Sequence, residues 1–292
     1  MEYNKDNPLK VVTLCSGYDS QCLALERLKN VYPEFDYELV AWSEFDPESK
    51  TPLEKQPAVI AHNALFPQWE DRNLGDMTKI DWTQVDDFDL LFYSIPCQSI
   101  SQAGLQHGFT EGSGTRSSII WNVRDPVKIK RPKFLCLENV KAMVSGKFIG
   151  MFNLWQLELE RLGYRNFAKV LNAKDYGVPQ NRERIFLVSI RVDDENNMPK
   201  YYFPQPFPLE RKLKDVLEDN VDERYYLSDK MIECFQHRTE VAIEKGNGFR
   251  FSPTNGYGCG KAITTCAGNR TDDNFLYEDE QDEELHQLCI ER

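Results

Sequence analysis

A thiol, a carboxyl group and two guanidinium groups, which can do chemistry together, occur beside apolar segments of this sequence. Cys97 and Glu138 each follow an apolar run of strand length, and Arg182 and Arg184 immediately precede another. Cysteine thiolate is a strong nucleophile that nearby cations favour, and a partly buried carboxyl group can donate a proton. The set predicts nucleophilic catalysis by Cys97. A buried structural cysteine and a solvated charged edge are the alternatives.

A second set of residues is suited to holding an adenosine-containing cofactor. Gly17 permits a tight turn into a helix N-terminus, where carboxylates and phosphates bind favourably. Glu44 can accept hydrogen bonds from both hydroxyls of a ribose, and Asp76 can accept one from the exocyclic amine of adenine. Each residue alone is more often a turn residue or a helix cap. The dinucleotide pattern GxGxxG is absent, which argues against a nicotinamide cofactor.

The elements that must position these residues follow from the apolar patterns. Strands are predicted over 10–15, 38–43, 88–93, 133–137 and 184–190, and helices over 21–29 and 149–162. Strands that alternate with helices predict an α/β fold with a doubly wound, mostly parallel sheet. Ligands of such sheets bind beyond the carboxyl ends of the strands, and the candidate residues fall at those ends.

The residue composition of the sequence changes after Arg191. Prolines 199, 204, 206 and 208 indicate a linker, and the remainder is polar with glycine-rich turns. We therefore predict two domains. Residues 1–191 form the catalytic domain, and residues 192–292 form a second, smaller, irregular β-rich domain.

Composition narrows the class of protein. The chain has 292 residues, and no apolar run is long enough to span a bilayer. Its eight cysteines form no CxxC pair, which argues against structural zinc and a disulfide framework. A cytoplasmic protein without a metal or a membrane partner is expected. The net charge of −12 opposes nucleic-acid binding, but residues 116–147 carry eight basic residues and two acids, which permits DNA binding locally.

Taken in order, these segments resemble the C5-cytosine DNA methyltransferase family over roughly residues 10–190. The order and spacing of the elements are highly specific. The resemblance implies a Rossmann-like methyltransferase of bacterial or phage type, linked to restriction and modification, with S-adenosylmethionine as cofactor and double-stranded DNA as partner. The matching segments are Leu14-Cys15-Ser16-Gly17, Glu44, Asp76, Pro96-Cys97-Gln98, Arg116-Ser117-Ser118, Glu138-Asn139-Val140 and Gln180-x-Arg182-x-Arg184.

The resemblance also implies individual roles. Cys97 attacks C6 of a flipped-out cytosine, and Glu138 contacts its N3. Asn139 orients Pro96 and Glu138, while Arg182 and Arg184 stabilise the cysteine-bound intermediate. The implied cofactor-binding residues are Leu14, Cys15, Ser16, Gly17, Glu44, Phe45, Asp76, Met77, Pro96 and Ile119. The implied DNA-binding residues are Gln98, Ser101, Arg116 and Thr264.

The sequence departs from the family in two places. Cys15 stands where an aromatic residue is usual, and Asp19 and Ser20 stand where glycines are usual, so altered cofactor binding is expected. Residues 260–269 resemble the end of a target-recognition region, which makes 192–292 a partial DNA-binding domain. The family's later segments do not follow before Arg292. Three interpretations stay open: a truncated chain, one half of a split enzyme that a C-terminal fragment or subunit complements, and a degenerate copy.

Three alternative functions stay open from the sequence. They are a catalytically incomplete DNA-binding subunit, a tRNA cytosine-5 methyltransferase of the same fold, and a plain nucleotide-binding α/β protein. An assay of methyl transfer by the chain alone distinguishes the incomplete subunit from an active DNA methyltransferase. Parallel assays on duplex DNA and tRNA distinguish a tRNA methyltransferase from a DNA methyltransferase.

Overall fold

The computed structural model describes residues 2–101, 107–219, 221–246, 250–263, 271 and 273–276. In this part of the chain the strands are β1 (Leu9–Leu14), β2 (Tyr37–Ser43), β3 (Leu90–Tyr93), β4 (Phe134–Val140), β5 (Tyr164–Asn172), β6 (Gln180–Asn181), β7 (Glu183–Arg191) and β8 (Gly260–Lys261). The α-helices are α1 (Ser20–Val31), α2 (Pro57–Leu65), α3 (Arg124–Lys130), α4 (Ile149–Arg161) and α5 (Asp229–Glu244). Short 3-10 helices lie at Leu53–Lys55, Pro67–Arg72, Met77–Lys79, Arg116–Val123, Lys141–Val144, Ala173–Tyr176, Leu213–Val216 and Glu223–Tyr225.

The chain divides into two compact units. The first comprises Met1–Val170 with Arg184–Phe203, and the second comprises Leu171–Glu183 with Pro204–Arg292. The boundary predicted from the sequence lies after residue 191, so the two divisions differ over 171–183 and 192–203. The difference arises because the chain leaves the first unit within β5 and returns at β7. The functions of the two parts stay predictions.

A six-stranded sheet in the order β2-β1-β3-β4-β7-β5 organises the first unit. Strand β1 pairs in parallel with β2 and β3, and β3 pairs in parallel with β4. Strand β7 runs antiparallel to β4. The predicted mostly parallel α/β sheet is confirmed.

Alternation along β1 explains why the sheet is covered on both faces. Val12 and Leu14 belong to one hydrophobic cluster together with Trp155 of α4. Val11 belongs to a second cluster together with Cys22 of α1. Successive strand residues point to opposite faces, so a run that is apolar throughout requires helices on both sides. No helix in the described part of the chain is long and apolar enough to cross a membrane.

Two strands differ from the sequence prediction. Strand β4 continues to Val140 because its pairing with β7 extends to the Val140–Arg184 position. Glu138 and Asn139 therefore lie within the strand and do not follow it. Strand β5 was not predicted, because it lies last in the sheet order and its half-exposed residues mix polar and apolar types.

The second unit is irregular in its described part, but it is not rich in strands there, in contrast to the β-rich domain expected from the sequence. Its longest element is α5, and the Phe235 ring packs against the rings of Phe251 and Phe275 at centroid distances of 5.7 and 5.5 Å. Strands β6 and β8 pair in parallel through two residues each. Strand content is thus small in the described part of this unit.

Tyr93 offers a test of the core beneath the sheet. Trp155 Nε1 donates to the Tyr93 hydroxyl at 3.1 Å, and both side chains are fully buried. Tyr93→Phe leaves the indole N–H without this acceptor, so the free energy of unfolding should fall by about 1–3 kcal/mol. Urea unfolding measures the change, with exposed Tyr202→Phe as the control. Equal stability of the two variants would contradict the packing described.

Candidate functional site

A cleft of about 590 Å³ lies in the first unit, beyond the carboxyl ends of β1 and β2. Its size is within the range of small-molecule sites, which hold ligands in pockets of about 300–1,000 Å³. Apolar side chains and several polar groups converge on it. It is lined by Cys15, Ser43, Glu44, Phe45, Asp46, Pro47, Gln56, Pro57, Ala58, Gly75, Asp76, Met77, Thr78, Pro96, Gln98, Arg116 and Ile119.

Most of the predicted cofactor-binding residues meet in this cleft. Those that line it are Cys15, Glu44, Phe45, Asp76, Met77, Pro96 and Ile119. The other three, Leu14, Ser16 and Gly17, do not line it. Leu14 is fully buried in the core, and the Ser16 hydroxyl donates to the carbonyl oxygen of Ser43. These two act on the cleft only through the backbone.

The loop after β1 has an unusual backbone. Cys15, Gly17 and Asp19 all have left-handed conformations, with φ values of 51°, 59° and 64°. Glycine adopts this region without steric cost, whereas Cys15 and Asp19 are held there by the structure around them. The Gly17 amide donates to Glu44 Oε2 at 2.7 Å. The loop is therefore fixed directly to the end of β2.

Two acidic groups of the cleft, Glu44 and Asp76, have shifted pKa values. Burial raises the pKa of Glu44, which Asp46 and Asp19 raise further and the Gly17 amide opposes. Burial also acts to raise the pKa of Asp76, but hydrogen bonds from Thr78 and the charge of Lys79 outweigh it and lower the pKa. Asp76 thus stays ionised to low pH, whereas Glu44 protonates more readily than an ordinary glutamate.

Glu138 is held between two partners in the first unit. Its Oε2 accepts a hydrogen bond from the Ser94 hydroxyl at 2.7 Å, and its Oε1 lies 3.0 Å from Arg184 Nε. Arg184 is two residues from the β7 position that pairs with Glu138, and such diagonal neighbours share one face of a sheet. The carboxylate is therefore oriented before any ligand is present.

The segment that carries Cys97 is anchored on both sides. Asn139 Nδ2 donates to the Ile95 carbonyl at 2.9 Å, and the Ser117 hydroxyl donates to the Pro96 carbonyl at 2.5 Å. The Cys97 carbonyl accepts from the amides of Ile100 and Ser101. Cys97 is partly exposed and hydrogen bonds hold its backbone, while its neighbours Pro96 and Gln98 line the cleft.

Arg182 and Arg184, the two arginines predicted to stabilise the intermediate, belong to different units. Arg184 lies in β7 of the first unit. Arg182 precedes β7 and belongs to the second unit, where its amide donates to Asn172 Oδ1 at 3.0 Å. Arg182 thus lies just outside the strand, which begins at Glu183.

The predicted DNA-binding residues have different surroundings. Arg116 donates to Gln98 Oε1 and Asp46 Oδ1, both at 2.8 Å, and lies 3.4 Å from Glu48. It therefore joins the 3-10 helix Arg116–Val123 to two loops at the rim of the cleft. Ser101 lies within the described residues, and its amide closes the turn at Cys97. Thr264 lies outside the described residues.

Ion pairs reduce the local charge excess of the basic segment 116–147. Arg116 pairs with Asp46, and the guanidinium group of Arg124 pairs with acids from elsewhere in the chain. Lys130 and Lys133 also have acidic partners. The number of basic residues therefore overstates the positive charge that this segment presents, since the partners are distant in sequence.

Several residues of the site escaped the sequence analysis. Ser94 directly follows β3, so the rule that ligands bind at strand ends could have indicated it. Asp46, Gln56 and Ala58 lie in a stretch without a distinctive pattern, and only the folded chain brings them to the cleft. Among the described residues, no group of three His, Cys, Asp or Glu side chains is arranged to hold a metal ion.

Comparison with known families decides the classification. The family model for C-5 cytosine-specific DNA methylase matches residues 9–287. The chain belongs to this family. Solved structures add the fold: a DNMT2 mutant from Spodoptera frugiperda aligns with a TM-score of 0.68 at 18% identity, over 97% of this chain and 78% of the other. The Dnmt2 methyltransferase of S. pombe aligns with a TM-score of 0.64 at 15% identity, over 96% of this chain and 80% of the other.

Curated relatives of this family member include bacterial and phage proteins. The type II methyltransferase M2.ScrFI of Lactococcus lactis is 44% identical over 55% of this chain and 44% of its own length. The type II methyltransferase M.SsoII of Shigella sonnei is 36% identical over 85% of this chain and 60% of its own length. The orphan methyltransferase M.Rho11sI of Bacillus phage rho11s is 32% identical over 81% of this chain and 49% of its own length. The chain spans about half the length of the curated relatives it matches.

The Cys15 thiol should be unreactive in the folded family member. Burial, reinforced by Glu44 and Asp76, raises its pKa to about 12, so the nucleophilic thiolate is scarce at neutral pH. We expect Cys15 to react with iodoacetamide at least about 100-fold more slowly than exposed Cys234. Peptide mass spectrometry after timed labelling measures both rates. Comparable rates in the native protein, or no acceleration of Cys15 in urea, would contradict the site as described.

Proposed function

We propose that this chain carries a DNA (cytosine-5-)-methyltransferase activity, with Cys97 as nucleophile and S-adenosylmethionine as methyl donor. One observation carries the proposal: Pro96 and Gln98, on either side of Cys97, line the same cleft as Glu44 and Asp76. A thiol between two lining residues can reach a base placed at the mouth of that cleft. Family membership supplies the reaction class to which this geometry belongs.

The cleft suits an adenosyl group in chemistry as well as in size. Glu44 is an acceptor for ribose hydroxyls, and its second oxygen is free of the Gly17 bond that occupies Oε2. Phe45, Met77 and Ile119 provide the apolar surface on which a purine packs. When bound, S-adenosylmethionine supplies an electrophilic methyl group on its sulfonium sulfur.

The chain's own residues account for activation of the cytosine. Because the ring carbons are inaccessible in stacked DNA, the base must leave the helix. The Cys97 thiolate then forms a bond to C6 and the electron pair of the C5–C6 double bond moves onto the ring. Glu138, held by Ser94 and Arg184, binds or protonates N3 and limits the developing charge.

Completion of the reaction returns the thiol to its starting state. C5 would take the methyl group as the donor's methyl–sulfur bond breaks. A base would then remove the C5 proton, any proton on N3 would return to Glu138, and the ring electrons would reform the double bond as the thiolate leaves C6. The products are 5-methylcytosine, S-adenosylhomocysteine and one proton. Asn139 keeps the Ile95–Cys97 backbone in place through these steps by its bond to the Ile95 carbonyl.

Cys97→Ser tests the proposed nucleophile. The serine hydroxyl is far less nucleophilic than a thiolate, so methyl transfer from labelled S-adenosylmethionine to duplex DNA should fall to the level without protein. Covalent trapping on DNA that contains 5-fluorocytosine should disappear as well. Circular dichroism should show an unchanged fold, because Cys97 is partly exposed and outside the core clusters.

Exposed Cys234→Ser is the matched control and should retain wild-type transfer. The same assay on tRNA tests the alternative substrate. Normal turnover by Cys97→Ser would exclude the covalent mechanism, and transfer to tRNA in place of duplex DNA would exclude the proposed substrate.

Glu44 should make cofactor binding depend on pH. Its pKa is raised above 4.5 by burial first, then by Asp46 and Asp19, and only the ionised form accepts both ribose hydroxyls. Affinity for S-adenosylhomocysteine should therefore fall as the pH is lowered, and the fall should begin at a higher pH than the pKa of an ordinary glutamate would give.

Glu44→Gln removes this titration. Calorimetry should show affinity about tenfold weaker at neutral pH and a flatter pH profile, while DNA affinity changes little. Exposed Glu54→Gln is the control. Equal losses of cofactor and DNA affinity, or an unchanged pH profile, would exclude Glu44 from the adenosyl pocket.

A further inference from the structure

A fully buried aspartate–histidine pair lies behind the cleft and has no part in the chemistry proposed above. Asp19 Oδ2 lies 3.5 Å from His62 Nε2, and neither side chain is exposed to solvent. The two residues are far apart in sequence and come from different elements, the start of α1 and the last turn of α2. Their pairing is a product of the fold.

The Asp19 side chain does not cap the helix that it precedes. It stands at the N-cap of α1, where an aspartate usually bonds to the first amides of the helix, but its side chain makes no such bond. Its Oδ2 instead accepts a hydrogen bond from the Thr13 hydroxyl of β1 at 2.8 Å. The carboxylate thus faces the interior and not the helix it precedes.

His62 is enclosed by aromatic rings. It stacks on Trp42 at a centroid distance of 3.6 Å and lies 5.4 Å from Phe66. Among the described residues, neither ring nitrogen of His62 nor Oδ1 of Asp19 has a hydrogen-bond partner. Asp19 is therefore the polar group that faces this imidazole.

Burial makes this pair sensitive to the loss of either member. A buried carboxylate without compensation is costly, and removal of one partner of a buried pair is more destabilising than replacement of both. Thr13 supplies one hydrogen bond to Asp19 and His62 supplies the nearby ring nitrogen. The position of Asp19 therefore depends on His62.

The pair is linked to three segments that border the cleft: the loop after β1, the end of β2 and the start of α2. Asp19 ends the loop whose Gly17 amide bonds to Glu44. Trp42, beneath the His62 ring, precedes Glu44 by two residues on β2. Gln56, which precedes the α2 helix that carries His62, lines the cleft and accepts the Asp46 amide at 2.8 Å.

We propose that Asp19 and His62 are positioning residues of the adenosyl pocket, a buried pair that locks the loop 15–19 to α2 and β2. The ligand named here rests on the proposed function, whereas the locking of the loop does not. Neither residue touches the ligand. They act through Gly17 and Glu44.

The charge of Asp19 also reaches Glu44. It contributes to the raised pKa of Glu44, after burial and Asp46. The other titratable or charged groups about Glu44 are Cys15 from the β1 loop and Asp76, with Arg116 at the rim of the same cleft. Burial and the charge of Asp19 raise the pKa of Cys22, which lies in α1.

Hydrogen exchange without ligand tests the lock directly. Asp19→Asn removes the charge but tolerates the left-handed backbone, and His62→Phe keeps the ring on Trp42. In the full chain, amides of a peptide that covers residues 15–23 should exchange at least about tenfold faster in each variant. The double variant should exchange no faster than the faster single variant, since it removes both members of one pair.

Exposed His237→Phe is the control and should exchange as the wild type does. If His62→Phe does not fold, His62→Gln, which keeps a polar group, replaces it in both the single and the double variant. Wild-type exchange in both single variants, or independent effects that multiply in the double variant, would overturn the proposal.

Calorimetry with S-adenosylhomocysteine provides a readout that general loosening would not move. Asp19→Asn takes a negative charge from the surroundings of Glu44, so the pH midpoint of binding should shift to lower pH. An unmoved midpoint would overturn the electrostatic part. If the wild-type chain binds no S-adenosylhomocysteine, the proposed function fails while the exchange result still decides the lock.

Discussion

Parallel pairing about β1 is the constraint on which the site depends. Leu14 pairs with Ser43 of β2 and Tyr93 of β3, so the loops that follow the three strands begin at one level of the sheet. Parallel strands require crossover connections, which lie on the faces of the sheet. The carboxyl ends of the strands therefore stay open for side chains. Glu44 and Pro96 reach one cleft for this reason, although about fifty residues separate them in the sequence.

The sequence predicted those features that depend on local pattern. Apolar runs indicated β1 to β4 and β7, and strand ends then directed attention to Cys97 and Glu44. Features set by distant contacts were not predictable in this way. Glu138 lies inside β4 because β7 pairs beside it, and no local pattern reveals the orientation of β7. The partnership of Asp19 with His62 was likewise invisible, because each residue alone resembles a cap or a core histidine.

Single hydrogen bonds between strands determine how firmly the candidate catalytic groups are held. Ser94 and Asn139 each connect β3 and β4 just where the Cys97 segment leaves the sheet. A bond of this kind contributes only about 1 kcal/mol to stability, yet it restricts a backbone that otherwise has the freedom of a loop. Orientation before binding matters more for catalysis than the stability that such bonds add, since misplaced groups lose most of their effect.

The acidic balance of the chain and its proposed DNA substrate are compatible because the relevant ion pairs are weak. Arg116 contacts Asp46 and Glu48 at the rim, where both acids are more than half exposed. Exposed pairs contribute about 1 kcal/mol or less, so a phosphate can replace these carboxylates at little cost. Displacement of Arg116 would also release Gln98, its other partner, beside Cys97. Under the proposed function, a phosphate bound at the rim would therefore act on the residue next to the proposed nucleophile through this one guanidinium group.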